Sequence, residues 1–189
     1  MSLVSSYVFN KVAPSEAIDY VINHPNYLKY LEYLKTWKEE LNEDSSDRAE
    51  KICHMFNLGM VGHGDRRVCC YYEGYVIKLP LESCHYDSNE NEVSLFNYLK
   101  DKHPNYLKYI CPIEEFREGF IVTPYCDDFD NIYNDDDDDD DILDFCEKYR
   151  DMFLEIGIKF TDLDGPQQLK VLGGGIVILD YEDYEFIGS

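Results

Sequence analysis

The sequence predicts an α+β fold: helices first, then an antiparallel sheet, then a short closing segment of one helix and one hairpin. Three observations carry this. Up to about Asn57 the apolar residues recur at helical spacing; from Leu58 they condense into short runs separated by Gly-containing turns; near the C-terminus a glycine triplet joins two further apolar runs.

Taken in order, Pro14-Ser15-Glu16 predicts a helix start, with Ile18, Val21 and Ile22 on one face. A second helix is expected after His24-Pro25, where Tyr27, Leu28, Leu31, Leu34 and Leu41 share a stripe. A third is expected over about 48–56, capped by Ser46 or Asp47. Val68–Tyr72 and Tyr75–Leu79 flank Glu73-Gly74, a hairpin signal. Asn89–Leu99 predicts a helix with Val93, Phe96 and Leu99 inward. Ile110–Phe116 and Gly119–Pro124 predict another strand pair. Asp135–Asp141 cannot bury itself and is expected as a solvated loop. Ile142–Ile156 follows as a helix with Leu143, Cys146, Tyr149, Phe153 and Ile156 inward. Leu169–Leu172 and Ile176–Asp180, joined by Gly173-Gly174-Gly175, form the last hairpin. The heptapeptide His24–Tyr30 recurs at His103–Tyr109 with unrelated flanks, so no repeat architecture follows.

Composition narrows the function classes. Net charge is −22 over 189 residues, a field that repels nucleic acid and anionic membranes and leaves a basic protein partner, metal cations or imitation of DNA's charge open. No apolar run approaches the roughly 20 residues of a membrane span, and Met1–Asn10 lacks the pattern of a signal peptide. Seven cysteines without a C-x-x-C pair argue against a disulfide framework or zinc site, so a reduced cytoplasm is expected.

Several weak motifs stand in a suggestive order. Gly62-His63-Gly64 lies between strand-like segments, where glycines let backbone N–H groups approach phosphate. Lys78 ends a strand, from which an ammonium can reach phosphate oxygens. Glu92 lies in the next helix, positioned to orient that lysine, with Glu90 the competing choice. Asp162, Gln167 and Asp180 supply a carboxylate, an amide and a second carboxylate around the last hairpin. In phosphoryl transfer the first orients the attacking hydroxyl, and the others hold metal.

This order resembles the protein-kinase-like superfamily, in particular the small divergent kinase-like proteins of phages and bacteria and the aminoglycoside-phosphotransferase-like branch. The resemblance covers about two-thirds of the chain. It implies a helical extension over 1–57 and a minimal kinase-like domain over 58–189. Within that domain it implies an N-lobe over about 58–123, a hinge over about 123–128, an acidic loop over 127–141 and a strongly reduced C-lobe over 142–189. It further implies ATP and Mg²⁺ as cofactors, Lys78 on phosphate with Glu92 behind it, and Gly62 and Gly64 over the phosphates. Pro124 and Cys126 would face adenine, Asp162 would be the catalytic aspartate, and Asp180 and Gln167 would hold metal. The sequence departs from the family pattern at Phe160 (usually His), at Gln167 (usually Asn) and at Tyr181-Glu182 (usually Phe-Gly). Three functions are therefore expected to compete: an ATP-dependent phosphotransferase, a catalytically silent interaction module with a protein partner, and an acidic imitation of DNA that occupies a nucleic-acid-binding protein.

Overall fold

The computed structural model of the chain describes residues 12–36, 43–128, 139–163 and 165–187. Leu41 and positions 135–138 of the acidic run lie outside them.

Three helices come first: α1 (Pro14–Ile22), α2 (Tyr27–Tyr33) and α3 (Ser45–Phe56). Proline at the first turn and a Glu16 carboxylate accepting from the Ala13 N–H at 3.0 Å start α1. The cap of α3 is Asp44, not Ser46 or Asp47: its carboxylate accepts from the Asp47 N–H at 2.9 Å, and the helix begins at Ser45. Leu28 is 72% exposed, contrary to its place in the expected apolar stripe, because α2 stops at Tyr33 and presents Tyr30 inward instead.

The centre is a five-stranded antiparallel sheet of β1 (Gly59–His63), β2 (Arg67–Tyr72), β3 (Tyr75–Pro80), β4 (Glu115–Arg117) and β5 (Phe120–Pro124), in the order β1-β2-β3-β5-β4. The β2–β3 hairpin turns through Glu73 (φ 47°) and Gly74 (φ 86°), both left-handed, as a two-residue primed turn requires. Strand β4 is shorter than expected. Ile110 pairs instead with Ile178 in a single parallel bridge, and the Cys111 N–H donates to the Ile178 carbonyl at 2.8 Å.

Strand alternation sends Val68 and Cys70 of β2 and Ile77 and Leu79 of β3 to one face. There they bury against Ala17, Ile18, Tyr30, Ile52 and Phe56 of the three helices. Arg48 of α3 ties the layers together: it is fully buried and donates to the carbonyls of Leu81 (2.8 Å) and Tyr33 (3.2 Å).

The opposite face carries α4 (Tyr86–Lys102). Its buried stripe is Ser88, Asn89, Glu92, Leu95 and Leu99; Val93 and Phe96, expected inward, are half-buried at its flanks. Two buried cations in the sheet account for the tilt, since they turn Glu92 rather than Val93 toward the interior.

A second core unites Leu95 and Leu99 with α5 (Asp139–Leu154), β7 (Ile158–Phe160), β8 (Leu169–Leu172) and β9 (Gly175–Ile178). Helix α5 starts three residues before Ile142, so Asp139–Asp141 belong to its first turn rather than to a loop. Leu143 is half-exposed, while Cys146, Tyr149 and Phe153 are buried. Strand β6 (Asp127–Asp128) pairs with β8, and β10 (Tyr184–Phe186) pairs with β7. Among the described residues no helix is long and apolar enough to cross a membrane.

Candidate functional site

The sheet face that carries α4 ends in an open cleft of about 1060 Å³, roofed by β1 and the β1–β2 turn and floored by the β8–β9 hairpin and the residues after it. Gly62, Gly64, Arg67, Asp162, Gln167 and Asp180 all line it. Residues spread along the chain from β1 to the C-terminal hairpin thus meet at one opening.

The roof comes from a register shift between Met60 and Gly62 in β1. A Cβ at Gly62 or Gly64 would meet nothing within 4 Å, so both backbones face open space. The Gly64 N–H closes the turn on the Arg67 carbonyl at 3.0 Å.

The pleat of β2 aims Arg67, Cys69 and Tyr71 at this side. Cys69 stands directly across from Lys78 on β3. Lys78 does not reach the cleft. It is 1% exposed, and its ammonium donates to Glu92 Oε1 (2.6 Å), Glu92 Oε2 (2.8 Å) and the Leu179 carbonyl (2.9 Å). Its three protons thus face three acceptor atoms.

Arg67 is the residue that sequence reasoning passed over. It is 4% exposed. One end of its guanidinium donates to Glu92 Oε2 (2.6 Å) and Asn89 Oδ1 (3.0 Å), and the other holds Asp180 and pairs with Glu182 at 3.0 Å. The signal that could have found it is positional: it is the first residue of a strand after the glycine turn, in phase with Cys69. Asn89 braces the arrangement by donating to the Lys78 carbonyl (3.1 Å) and the Gly119 carbonyl (2.7 Å).

The charges perturb one another as this packing demands. Burial works against the Lys78 ammonium, yet Glu92 more than compensates and raises its pKa. Arg67 follows the same logic, through Glu92 and then Asp180. Burial works against the Asp180 carboxylate, but Lys78 and Arg67 hold it below the usual range. Glu182 goes the other way: burial, reinforced by Asp180 and Glu92 and opposed by Arg67, pushes its carboxyl up to about 7.

The Asp162 loop is stapled by Gln168, whose side chain accepts from the Gly165 N–H (3.1 Å) and donates to the Asp162 carbonyl. Asp162 and Gln167 are both exposed at the cleft. Pro124 and Cys126, expected to face a ligand, do not line it. Pro124 is buried at the end of β5, and the Cys126 thiol sits 3.6 Å from that of Cys111. Tyr125 between them lines the cleft instead, edge-on to Tyr71 at 5.6 Å.

Mg²⁺ demands near-ideal octahedral oxygen coordination. At Asp180 it would compete with a guanidinium already bonded to the carboxylate, beside a second cation at Lys78. The residues in this arrangement do not fit the ion. Elsewhere, Glu82, Cys84 and His85 bring ligand atoms within 4.8 Å of one another. Burial and then Glu82 push the Cys84 thiol up, which disfavours the thiolate that a metal would need.

No family profile and no curated protein sequence matches the chain.

Proposed function

We propose that the chain is a kinase-like module that takes a nucleoside triphosphate weakly in this cleft and acts through contact with a basic protein partner rather than by transferring phosphate. The observation that carries the proposal is the Arg67–Asp180 contact. The carboxylate expected to hold metal is spent on an internal cation, while the glycine turn, Lys78–Glu92 and the Asp162 loop keep the order of a nucleotide site.

Further support comes from the size of the cleft, which is that of ligand pockets in general. Tyr71 and Tyr125 offer aromatic surface on which a base can stack. Arg66, Arg67 and Lys170 offer cations to phosphate, but the lining carboxylates Asp65, Asp162, Asp180, Glu182 and Asp183 outnumber them, so affinity is weak. The net charge of −22 selects a cationic partner.

The test combines calorimetric or thermal-shift titration with ATP up to millimolar concentration and an assay of phosphate release and transfer. Binding without transfer is expected; no binding of any nucleotide overturns the proposal. The second possibility, a phosphotransferase with Asp162 as base, is favoured by the exposure of Asp162 at the same opening as Gly62 and Gly64. Transfer that disappears in Asp162→Asn would establish it.

A further inference from the structure

We infer that Arg67 is the built-in cation of this cleft, so that a nucleotide polyphosphate binds without a divalent ion and Asp180 opposes binding instead of supporting it. The inference rests on the nucleotide proposal above and adds the sign of each residue's contribution.

The geometry argues as follows. A guanidinium is charged at every accessible pH and presents its donors in a fixed planar fork. Here the inner part of that fork is committed to Glu92 and Asn89, at 2.6 and 3.0 Å, in a buried setting. The outer part faces Asp180 and Glu182 at the cleft wall. Bringing a divalent cation to Asp180 would set it against Arg67, and withdrawing Arg67 would strip Glu92 of one of its two cationic partners. A phosphate oxygen faces neither difficulty. It can replace the Asp180 oxygen on the outer nitrogen, anion for anion, while Glu92 keeps the inner nitrogen in place.

Asp180 is the replaceable partner because its side chain is 47% exposed, whereas that of Glu182 is 10% exposed. Released from Arg67, Asp180 can turn to water. Its role is therefore that of a competitor for the guanidinium. In a site where the carboxylate holds metal, removing its charge abolishes nucleotide binding; here removal strengthens it.

The experiment titrates ATP into wild type and Asp180→Asn, each in EDTA and in Mg²⁺, with Kd read by calorimetry. A separate titration of both proteins with Mn²⁺ alone is read by electron paramagnetic resonance. The expected result is a wild-type Kd no tighter in Mg²⁺ than in EDTA, binding about fivefold tighter in Asp180→Asn, as loss of one partly exposed competing charge allows, and no Mn²⁺ uptake that depends on Asp180. Binding that requires Mg²⁺ and vanishes in Asp180→Asn would overturn the inference while leaving the nucleotide proposal standing. Absence of ATP binding in both proteins and both buffers would overturn the two together. Asp180-dependent Mn²⁺ uptake by wild type would overturn the inference whatever ATP does.

Discussion

Glu92 is the residue on which the buried charges converge, and Glu92→Ala is the perturbation whose size follows most directly from the structure. One carboxylate, fully buried, accepts from Lys78 through both oxygens and from Arg67 through one. Its removal leaves two buried cations without their shared anion. Breaking a single buried pair costs about 3–5 kcal/mol, and a whole domain is stable by only about 5–15 kcal/mol. Urea denaturation followed by circular dichroism should therefore show a cost of at least about 3 kcal/mol at pH 7.

The pH dependence supplies a sharper check. In wild type the Lys78 pKa is raised, so its contribution is present at neutral pH and is lost as pH rises through the folded value. Without Glu92, burial dominates and the folded pKa falls below that of the unfolded chain. The unfolded state then binds more protons, and stability rises with pH toward the unfolded lysine value. The deficit of Glu92→Ala should accordingly shrink between neutral pH and about pH 10. A cost under about 1 kcal/mol, with no change across that range, would refute the idea that Glu92 neutralises both cations.

Three further substitutions probe separate parts of the argument. Glu182 carries a carboxyl raised to about 7 from an ordinary value near 4.5, so the fold disfavours its charged form and stability declines as pH rises between those values. Glu182→Gln should remove that decline, by less than about 3 kcal/mol because solvent screens part of it; matching pH profiles for the two proteins would count against it. Arg48→Ala strands the buried Leu81 and Tyr33 carbonyls that Arg48 caps and opens a void between helices and sheet, and should lower stability by about 2–4 kcal/mol in denaturant titration. Gly119 has φ +78°, and a Cβ there would lie 2.3 Å from the Tyr86 ring, so Gly119→Ala should cost about 1–3 kcal/mol in the same assay; a neutral result would show that the β4–β5 turn is not so constrained.

The α+β class, the β2–β3 and β4–β5 hairpins of the five-stranded sheet and the closing β8–β9 hairpin were legible in the sequence because their signals are local. Gly74, Gly173 and Gly174 adopt positive φ at little steric cost, and alternation assigns each strand residue a face. The pairing of Lys78 with Glu92 was suggested by motif order, with Glu90 as the competing choice, and not by helix phase, which put Val93 inward. What failed were judgments about helix faces. Chemistry alone would put Val93, Phe96, Leu28 and Leu143 inward, yet Val93 and Phe96 are only half-buried at the edge of their stripe and Leu28 and Leu143 face solvent.

The charge cluster divides along the same line. The residue types present, their order along the chain and the lysine–glutamate pair were set by sequence. The fate of Asp180 was decided only in three dimensions. Strand β2 begins where its first side chain reaches Glu92 and Asp180 at once, across 25 and 113 residues of chain, and no local signal spans such distances. A carboxylate at the mouth of a cleft pairs with whichever cation the fold delivers to it. Here tertiary packing delivered Arg67, and that contact turned an expected metal ligand into part of an internal ion-pair network.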